Sequence, residues 1–341
     1  MAQPFTFHKN FTRDTIMILQ QLWPISMEEG LSEIVPKNPF RPSVVDYLYH
    51  GSCEIWENDE SVKYIKDQFA KFSQAQPQAA LHFLQRFVDK KEPLEKVWQR
   101  GVLDSLRDLK DFITAVRDNM AGDLFILYIS YENRVKGAVK QRAYALRDGD
   151  HYFSSSNKVF VNTVRKLFPQ IKDYVNAVCI NDLDRMPSVA EMQQRYEHYV
   201  CVSDGYSRIQ TLEEYAEQTG YRFIEEAVEG SGGVLTGQTA CPGKVIGPAK
   251  LLYTTNDLAK VKVGDIIVSP MTTANFMPAL KKAAAIVTDE GGIICHAAIV
   301  AREMNKPCLI ATKAATKIFQ DGDLLELDAG VGWVKKIAKS Q

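Results

Sequence analysis

A pair of glycines between an apolar run and a helix of small residues is the feature that most constrains this sequence. The run AAAIV predicts a buried strand that ends at Thr288. Gly291 and Gly292 follow, and glycine permits backbone conformations that other residues avoid, so the pair predicts a tight turn. A helix is predicted to begin at Cys295 or His296. The sequence therefore predicts a strand, a turn and a helix with a histidine at its N-terminus.

A histidine in that position has an environment that suits phosphate chemistry. The first backbone N–H groups of a helix lack intrahelical partners and lie at the positive end of the helix dipole, which favours an anion. The small residues Ala297 and Ala298 are expected to leave the imidazole accessible, and Arg302 is long enough to reach back toward it. An imidazole placed in this way is suited to accept and donate a phosphoryl group. A helix-capping histidine without chemistry is the alternative that these residues leave open.

The stretch 288–303, TDEGGIICHAAIVARE, resembles the phosphohistidine signature of the phosphoenolpyruvate-utilising enzymes. That family includes phosphoenolpyruvate synthase, pyruvate phosphate dikinase and rifampicin phosphotransferase. Segments 264–272, 307–312 and 321–332 are also similar, so the resemblance covers residues 234–341. It implies that His296 carries the phosphoryl group. It also implies phosphate-binding or supporting roles for Thr288, Gly291, Gly292, Cys295, Ala297 and Arg302.

One position departs from the family pattern. Several members have a threonine two residues before the histidine, whereas this chain has Ile294. Apolar residues occur there in the branch that resembles rifampicin phosphotransferase. The similarity therefore favours that branch, or the related phosphoenolpyruvate synthase-like proteins, over a standard pyruvate-directed enzyme.

The chain as a whole is predicted to be an α+β multidomain protein. Helical periodicity predicts a mainly α-helical domain over residues 1–225, with Pro77, Pro93 and Gly101 between helices. Ser188 followed by Glu191 predicts another helix start, and the Asp204-Gly205 pair predicts a hairpin. Residues 226–237 are Gly-rich and predict a flexible linker. Residues 238–341 are predicted to form a swivelling β/β/α phosphohistidine domain.

Composition excludes several classes of protein. The chain has 341 residues, a formal net charge of -1 and 24% charged residues, so it lacks the basic character of a nucleic-acid binder. No apolar run is long enough for a transmembrane helix, and no signal peptide is evident. The six cysteines are scattered, which argues against a zinc site or a disulfide framework. We therefore expect a cytoplasmic protein with no metal ligands and no membrane partner.

The expected partners follow from the resemblance. In this family an ATP-grasp domain phosphorylates the histidine, and residues 1–225 contain no Gly-rich phosphate loop. We therefore expect a partner ATP-grasp protein that supplies Mg²⁺ and ATP, with neither bound by this chain alone. The starting Met and the closing hairpin favour one complete subunit of a split phosphotransferase over a fragment of a larger dikinase. A non-catalytic regulatory protein with a vestigial phosphohistidine domain remains an alternative.

The acceptor is expected to be a small molecule, whose identity the sequence does not reveal. In the rifampicin phosphotransferase-like proteins a helical domain binds it, so residues 1–225 are either its binding domain or a docking platform. Candidate polar groups are Arg134, Lys140, Arg142 and Arg147, although a solvated basic helix face explains most of them equally well.

Overall fold

The chain divides into two compact units. The computed structural model describes residues 5–36, 42–147, 151–225, 234–293 and 295–337. The first unit comprises Met1–Asn10 and Thr15–Ile224, and the second comprises Phe11–Asp14 and Glu225–Gln341. Within the described ranges, no helix is long and apolar enough to cross a membrane.

The first unit contains a six-stranded sheet that the sequence analysis did not predict. Its strands are β1 (Thr6–Arg13), β2 (Val44–Tyr49), β3 (Ser52–Asn58), β4 (His198–Val202), β5 (Ser207–Arg208) and β6 (Arg222–Ile224). Their order across the sheet is β5-β4-β2-β3-β1-β6. Strand β2 is antiparallel to β3 and β4, whereas β1 is parallel to β6. The expectation of a mainly helical unit was therefore incomplete.

The two central strands explain why the sheet was missed. Every residue of β3 is buried, and so is every residue of β2 except Tyr49. A strand covered on both faces does not alternate apolar and polar residues, and alternation is the signal that identifies a strand in a sequence. Asp46, Glu54 and Glu57 are among these buried residues, and acidic residues are depleted in strands.

Eight α-helices accompany the sheet in the described part of the first unit. They are α1 (Met17–Gly30), α2 (Asp59–Ala75), α3 (Pro77–Arg100), α4 (Leu106–Tyr131), α5 (Ala138–Arg147), α6 (Tyr152–Leu167), α7 (Val189–Glu197) and α8 (Leu212–Thr219). Single 3₁₀ turns occur at Pro169–Ile171, Val175–Ala177 and Ile180–Leu183.

Most of the helix boundaries follow the capping signals in the sequence. Ser188 accepts a hydrogen bond from Glu191 N at the start of α7, as predicted. Gly101 ends α3 with a φ of 70°, in the left-handed region that glycine favours. The predicted break at Pro93 was wrong, because this residue lies inside α3. The predicted hairpin at Asp204 is confirmed by the pairing of β4 with β5.

The second unit is an eight-stranded sheet with three short helices. The strands are β7 (Val234–Thr236), β8 (Gln238–Cys241), β9 (Lys244–Leu251), β10 (Ile266–Ser269), β11 (Ala285–Thr288), β12 (Cys308–Ile310), β13 (Leu324–Asp328) and β14 (Trp333–Lys336). The helices are α9 (Met277–Lys282), α10 (His296–Glu303) and α11 (Ala315–Ile318), with 3₁₀ turns at Thr255–Lys260 and Ala274–Phe276. The strand order is β7-β14-β13-β9-β10-β11-β12-β8.

The middle of this sheet is parallel and is covered on both faces. Strands β9, β10, β11 and β12 run parallel to one another. Side chains from Ile267 and Ile286 pack on one face against α9 and α10, whereas Ile266 and Val268 pack on the other face. Because neighbouring residues of a strand point to opposite faces, these short apolar runs supply both cores. The sequence prediction of alternating strands and helices is confirmed here.

The predicted linker is only partly within the described residues. Residues 226–233 lie outside them. Residues Val234–Thr236 form β7, which is antiparallel to β14, so the C-terminal end of the predicted linker belongs to the sheet of the second unit.

Two acidic side chains on one face of the first sheet are buried. Asp46 lies opposite Ile55 in the pairing of β2 with β3, and Glu57 is two residues beyond Ile55, so both carboxyl groups point to the same face. Burial, together with the nearby charge of Glu57, raises the pKa of Asp46 to about 8. Folding therefore opposes ionisation of Asp46.

Replacement of this buried carboxyl group gives a test of the first unit. The raised pKa means that the folded state loses stability as the pH rises from about 4 toward 8, because only the unfolded chain ionises freely in this window. We predict that Asp46→Asn raises the free energy of unfolding by roughly 1–3 kcal/mol at pH 8 and by much less at pH 5. Denaturant unfolding followed by tryptophan fluorescence measures this change.

The exposed Asp111→Asn serves as the matched control for this measurement, and we expect it to have little effect at either pH. If Asp46→Asn increased the free energy of unfolding equally at pH 5 and pH 8, the raised pKa of Asp46 would be contradicted.

Candidate active site

The segment that precedes His296 lies at the carboxyl ends of two neighbouring parallel strands. Ser269, the last residue of β10, is paired with Thr288, the last residue of β11. Because parallel strands end at the same edge, the segments that follow them lie side by side. Asp289 N donates to Ser269 O at 3.1 Å, and Glu290 N donates to Pro270 O at 3.0 Å. These bonds fix the two loops against each other.

His296 begins the helix that leaves this edge. Cys295 is the N-cap residue of α10 and makes no side-chain capping bond. The first helical hydrogen bond is donated by Ile299 N to Cys295 O at 3.0 Å. Among the described residues, no acceptor contacts the backbone N–H groups of His296, Ala297 and Ala298. The imidazole therefore lies beside N–H donors that are available to an anion.

Thr272 holds one ring nitrogen of His296. The distance between Thr272 Oγ1 and His296 Nδ1 is 3.0 Å. Thr272 is buried with 3% of its surface exposed, and Ser269 Oγ donates to Met271 O at 2.8 Å in the turn that presents it. The ring is thus fixed at Nδ1, which leaves Nε2 as the nitrogen without a bond to a described residue. Sequence analysis missed Thr272 as a site residue, although it had noted the segment that contains it.

Electrostatics favour the neutral form of this imidazole. Burial lowers the pKa of His296 from its ordinary value of 6.5, and the negative charge of Glu303 opposes this shift. The positive end of the helix dipole acts in the same direction as burial. The imidazole is therefore uncharged at neutral pH, and an uncharged ring nitrogen is the nucleophilic form.

Thr288 and Asp289 support the loop from inside. Thr288 is fully buried and its Oγ1 donates to Glu290 O at 2.7 Å. The Asp289 carboxylate accepts from Thr312 Oγ1 at 3.1 Å and from Thr316 Oγ1. These contacts fix the end of β11, so the structure gives Thr288 a supporting place. Asp289 was missed; the only signal for it was its position directly after a buried strand.

The two glycines have different surroundings. Gly291 has a φ of +116°, and a Cβ atom there would lie 2.8 Å from Cys295 Sγ. Gly292 has no left-handed φ, and nothing lies within 4 Å of the position that a Cβ atom would take. Gly291 is therefore required by the turn, whereas Gly292 faces open space beside the helix start.

The remaining predicted residues are distributed over the helix. Ala297 is 1% exposed and packs in the core with Ala298 and Ala301, so its side chain attaches α10 to the sheet. Cys295 is half-buried and contacts the same core. Arg302 is exposed in the last turn of α10, and the structure shows no hydrogen bond between it and His296. A phosphate contact by Arg302 stays a prediction.

Part of the second unit matches a known family. The family model described as "PEP-utilising enzyme, mobile domain" matches residues 261–332. This segment contains β10, β11, both loops and the histidine helix. Residues 261–332 are therefore similar to the mobile domain of phosphoenolpyruvate-utilising enzymes. The prediction made from the sequence signature is confirmed for this segment.

Curated relatives of the mobile domain agree. A protein named "probable phosphoenolpyruvate synthase" from Archaeoglobus fulgidus is 46% identical over 111 residues, which cover 33% of this chain and 15% of that protein. The phosphoenolpyruvate synthase of Pyrococcus furiosus is 44% identical over 133 residues, 39% of this chain and 16% of the relative. The "uncharacterized phosphotransferase YvkC" of Bacillus subtilis is 36% identical over 104 residues, 30% of this chain and 12% of that protein.

These relatives are much longer than the region they share with this chain. The matched region spans only about a sixth or less of each of them. Among solved structures, an Enzyme I structure covers 81% of this chain at 14% identity, with a TM-score of 0.26.

The different surroundings of the two glycines predict different effects of added methyl groups. We expect Gly291→Ala to lower the free energy of unfolding by about 1–3 kcal/mol, because the backbone conformation and the contact with Cys295 both oppose a side chain. Gly292→Ala should change it by less than about 1 kcal/mol. Thermal or denaturant unfolding of the two variants measures the difference. Equal losses of stability would show that the loop conformation is not the one described.

Proposed function

We propose that this chain is a phosphotransferase component whose His296 carries a phosphoryl group from a donor to an acceptor. The observation that carries the proposal is the arrangement around the imidazole: Nδ1 is bonded to Thr272, and the ring stands at an open helix N-terminus. The mobile-domain family and relatives named phosphoenolpyruvate synthase and phosphotransferase support this chemistry.

The reacting atom in this proposal is Nε2. We assign the ring proton to Nδ1, which then donates a hydrogen bond to Thr272 Oγ1, so that Nε2 has a free electron pair directed away from this bond. Nε2 attacks the phosphorus atom of the donor; the N–P bond forms and the P–O bond to the donor breaks. In the second half-reaction an acceptor oxygen forms a bond to phosphorus, and the N–P bond breaks with its electrons returning to Nε2. Hence His296 regains its starting state.

The backbone around the helix start supplies stabilisation for the charge. The N–H groups of His296, Ala297 and Ala298 lie at the positive end of α10, where an anionic phosphoryl group is stabilised. Gly292 leaves open space there, and we assign this space to the phosphoryl oxygens. The exposed Arg302 is proposed to contact the phosphoryl group only when a donor or acceptor covers the site.

The donor is proposed to be ATP with Mg²⁺, bound by a partner ATP-grasp protein. Among the described residues, no group of three or more histidine, cysteine, aspartate or glutamate side chains could hold a metal ion. We therefore assign the metal to the partner. The acceptor is a small molecule, and the exchange is proposed to take place in the cytoplasm, where ATP is available. One imidazole must reach two sites, so we propose that the phosphohistidine domain swivels as a carrier.

The assignment of the carrier residue is tested by chemical phosphorylation. Phosphoramidate transfers its phosphoryl group to neutral imidazole nitrogens without a partner protein. We predict that the full-length chain acquires an acid-labile, base-stable phosphoryl group at His296, located by mass spectrometry of its peptides. His296→Gln should lose this label. The exposed His82 serves as the internal reference for an unassisted imidazole, and His296 should react several times faster.

Slower labelling of His296 than of His82 would favour a vestigial domain and contradict the proposal. Mg-ATP alone should leave His296 unlabelled, whereas addition of an ATP-grasp protein should label it. Labelling by Mg-ATP alone would place the donor site in this chain.

Removal of the hydroxyl group of Thr272 tests how the ring is held. Thr272→Val has nearly the same volume but accepts no hydrogen bond, so the ring loses its orientation and its preferred tautomer. We predict that the rate of phosphorylation at His296 falls about five- to tenfold, which corresponds to the loss of about 1 kcal/mol from one hydrogen bond. Thr272→Ser retains the hydroxyl and should remain near the wild-type rate. Equal rates for the valine and serine variants would show that the bond has no role.

A further inference from the structure

The first unit contains a large polar cavity between its sheet and α2. The cavity has a volume of about 760 Å³, which is within the usual range for small-molecule sites. The residues that line it all belong to the first unit: His8, Lys9, Asn10, Glu57, Asp59, Val62, Lys63, Lys66, Asp67 and Arg134. Among these described residues Val62 is the only apolar one. The charged and amide ends of the other side chains can contact a polar ligand, while their aliphatic stems supply apolar surface.

Several of the charged groups around the cavity are already paired. His8 Nδ1 lies 2.6 Å from the Asp59 carboxylate. Lys9 Nζ lies 2.8 Å from the carboxylate of Glu54, a buried residue of β3. Arg134 forms ion pairs with Asp67 and Glu132. These pairs fix the walls of the cavity, and Arg134 neutralises the lining carboxylate of Asp67.

Two lysines of α2 form no salt bridge in the described part of the chain, although the charge of one of them, Lys66, acts on the nearby Glu57. Lys63 and Lys66 are three residues apart, so they extend from the same side of α2, and both line the cavity. Lys66 Nζ lies 5.4 Å from the centre of the Tyr128 ring, which gives it a fixed direction. Two ammonium groups at one wall of a polar cavity favour an anionic ligand.

Glu57 forms the buried side of the same cavity. Its carboxylate accepts a hydrogen bond from Asn10 Nδ2 at 2.9 Å and another from the Tyr128 hydroxyl. Only 9% of the residue is exposed, and burial raises the pKa of Glu57 to about 7. Among its neighbours, Lys66 lowers this pKa and Asp59 raises it, and the buried Asp46 lies on the same face of the sheet. A carboxyl group that titrates near neutral pH is suited to take up a proton.

We propose that this cavity binds a sugar acid, an organic anion with several hydroxyl groups, and that Glu57 takes the proton from the hydroxyl that receives the phosphoryl group. Lys63 and Lys66 bind the carboxylate of the ligand. This inference rests on the proposed function of His296, for which it supplies the class of acceptor. Arg134, which sequence analysis had named as a candidate acceptor-binding residue, lies in the wall of the cavity.

The transfer step needs no group other than the sugar acid, phosphorylated His296 and Glu57. The hydroxyl oxygen of the sugar acid attacks phosphorus, and the O–P bond forms as the N–P bond to His296 breaks. The electron pair of that bond returns to the imidazole nitrogen. The hydroxyl proton passes to the Glu57 carboxylate and then to solvent. The products are a phosphorylated sugar acid and the original carrier.

Calorimetry with gluconate on the full-length chain tests whether the cavity binds a sugar acid. Wild type should bind gluconate saturably, whereas glucitol, which lacks the charge, and hexanoate, which lacks the hydroxyl groups, should not bind. Lys63→Ala and Lys66→Ala should each weaken gluconate binding at least fivefold. Lys71→Ala, an exposed lysine of the same helix outside the cavity, should leave it unchanged. Absence of gluconate binding, or equal affinity in the two cavity variants and wild type, would overturn the proposal.

Transfer is tested on protein that has been phosphorylated with phosphoramidate. Gluconate should accelerate loss of the phosphoryl group from His296 and yield phosphogluconate. Glu57→Gln should retain gluconate binding, which also shows that it is folded, but should lose most of this acceleration. The ratio of the wild-type rate to the Glu57→Gln rate should rise between pH 6 and pH 8, because ionised Glu57 is the active form. Glu57→Asp retains a carboxylate and should keep part of the rate. Equal transfer by wild type and Glu57→Gln would remove Glu57 from the mechanism.

The outcomes separate this inference from the proposed function. If His296 does not become phosphorylated, the carrier role fails, and the role of Glu57 in transfer fails with it, while the calorimetric measurement still decides whether the cavity binds gluconate. If His296 is phosphorylated but gluconate neither binds nor accelerates its discharge, the carrier role stands and the acceptor assignment is wrong.

Discussion

The hydrogen bond between Thr272 and Nδ1 of His296 is the interaction on which the candidate site depends. It connects the loops that follow two adjacent parallel strands, and it leaves Nε2 as the ring nitrogen without a bond to a described residue. The bonds from Asp289 and Glu290 to the neighbouring loop keep the two segments at the distance that this contact requires. Burial at the same place keeps the ring neutral. The proposed carrier chemistry rests on this side-chain contact, which the register of β10 and β11 makes possible.

The two units contribute different kinds of electrostatic environment. In the second unit the site is neutral and relies on backbone N–H groups, which suits a phosphoryl group that must be held and then released. In the first unit the polar cavity is surrounded by paired charges, with a buried carboxyl group on one side and two lysines on another. Lys63 and Lys66, which form no salt bridge among the described residues, would pair with the anion proposed for this cavity. The proposed division between a carrier and an acceptor site follows from this contrast.

Sequence analysis identified His296 as a candidate because the local sequence signals around it agree with one another. Gly291 needs its positive φ, the helix begins directly at the histidine, and the flanking apolar runs are strands of a buried parallel sheet. It missed Thr272, because a contact across 24 residues depends on the register of β10 and β11, which no local pattern encodes. It assigned Ala297 to the vicinity of the imidazole, whereas helical geometry places this residue in the core.

In the first unit, sequence analysis predicted the helices but not the sheet. Its helices follow capping and periodicity signals, but its sheet depends on strands that carry buried acidic residues, and acidic residues are poor strand signals. Asp46 and Glu57 become recognisable only when burial and pairing are known. The cavity beside Glu57 is assembled from β1, β3, α2 and the segment after α4, which are far apart in the sequence. Its residues could not be grouped from the chain alone, although Arg134 was among the candidates.

The central claim is that His296 is held as a neutral imidazole with its proton on Nδ1 and a free electron pair on Nε2. Nitrogen-15 NMR of the histidine side chains in the full-length protein, assigned with His296→Gln, measures this directly through the shifts of the two ring nitrogens. The account predicts a neutral ring at pH 7 with a protonated Nδ1 and an unprotonated Nε2, and a pKa below the ordinary value of 6.5. A ring protonated on Nε2, with Nδ1 accepting from Thr272, or a ring charged at pH 7, would contradict it.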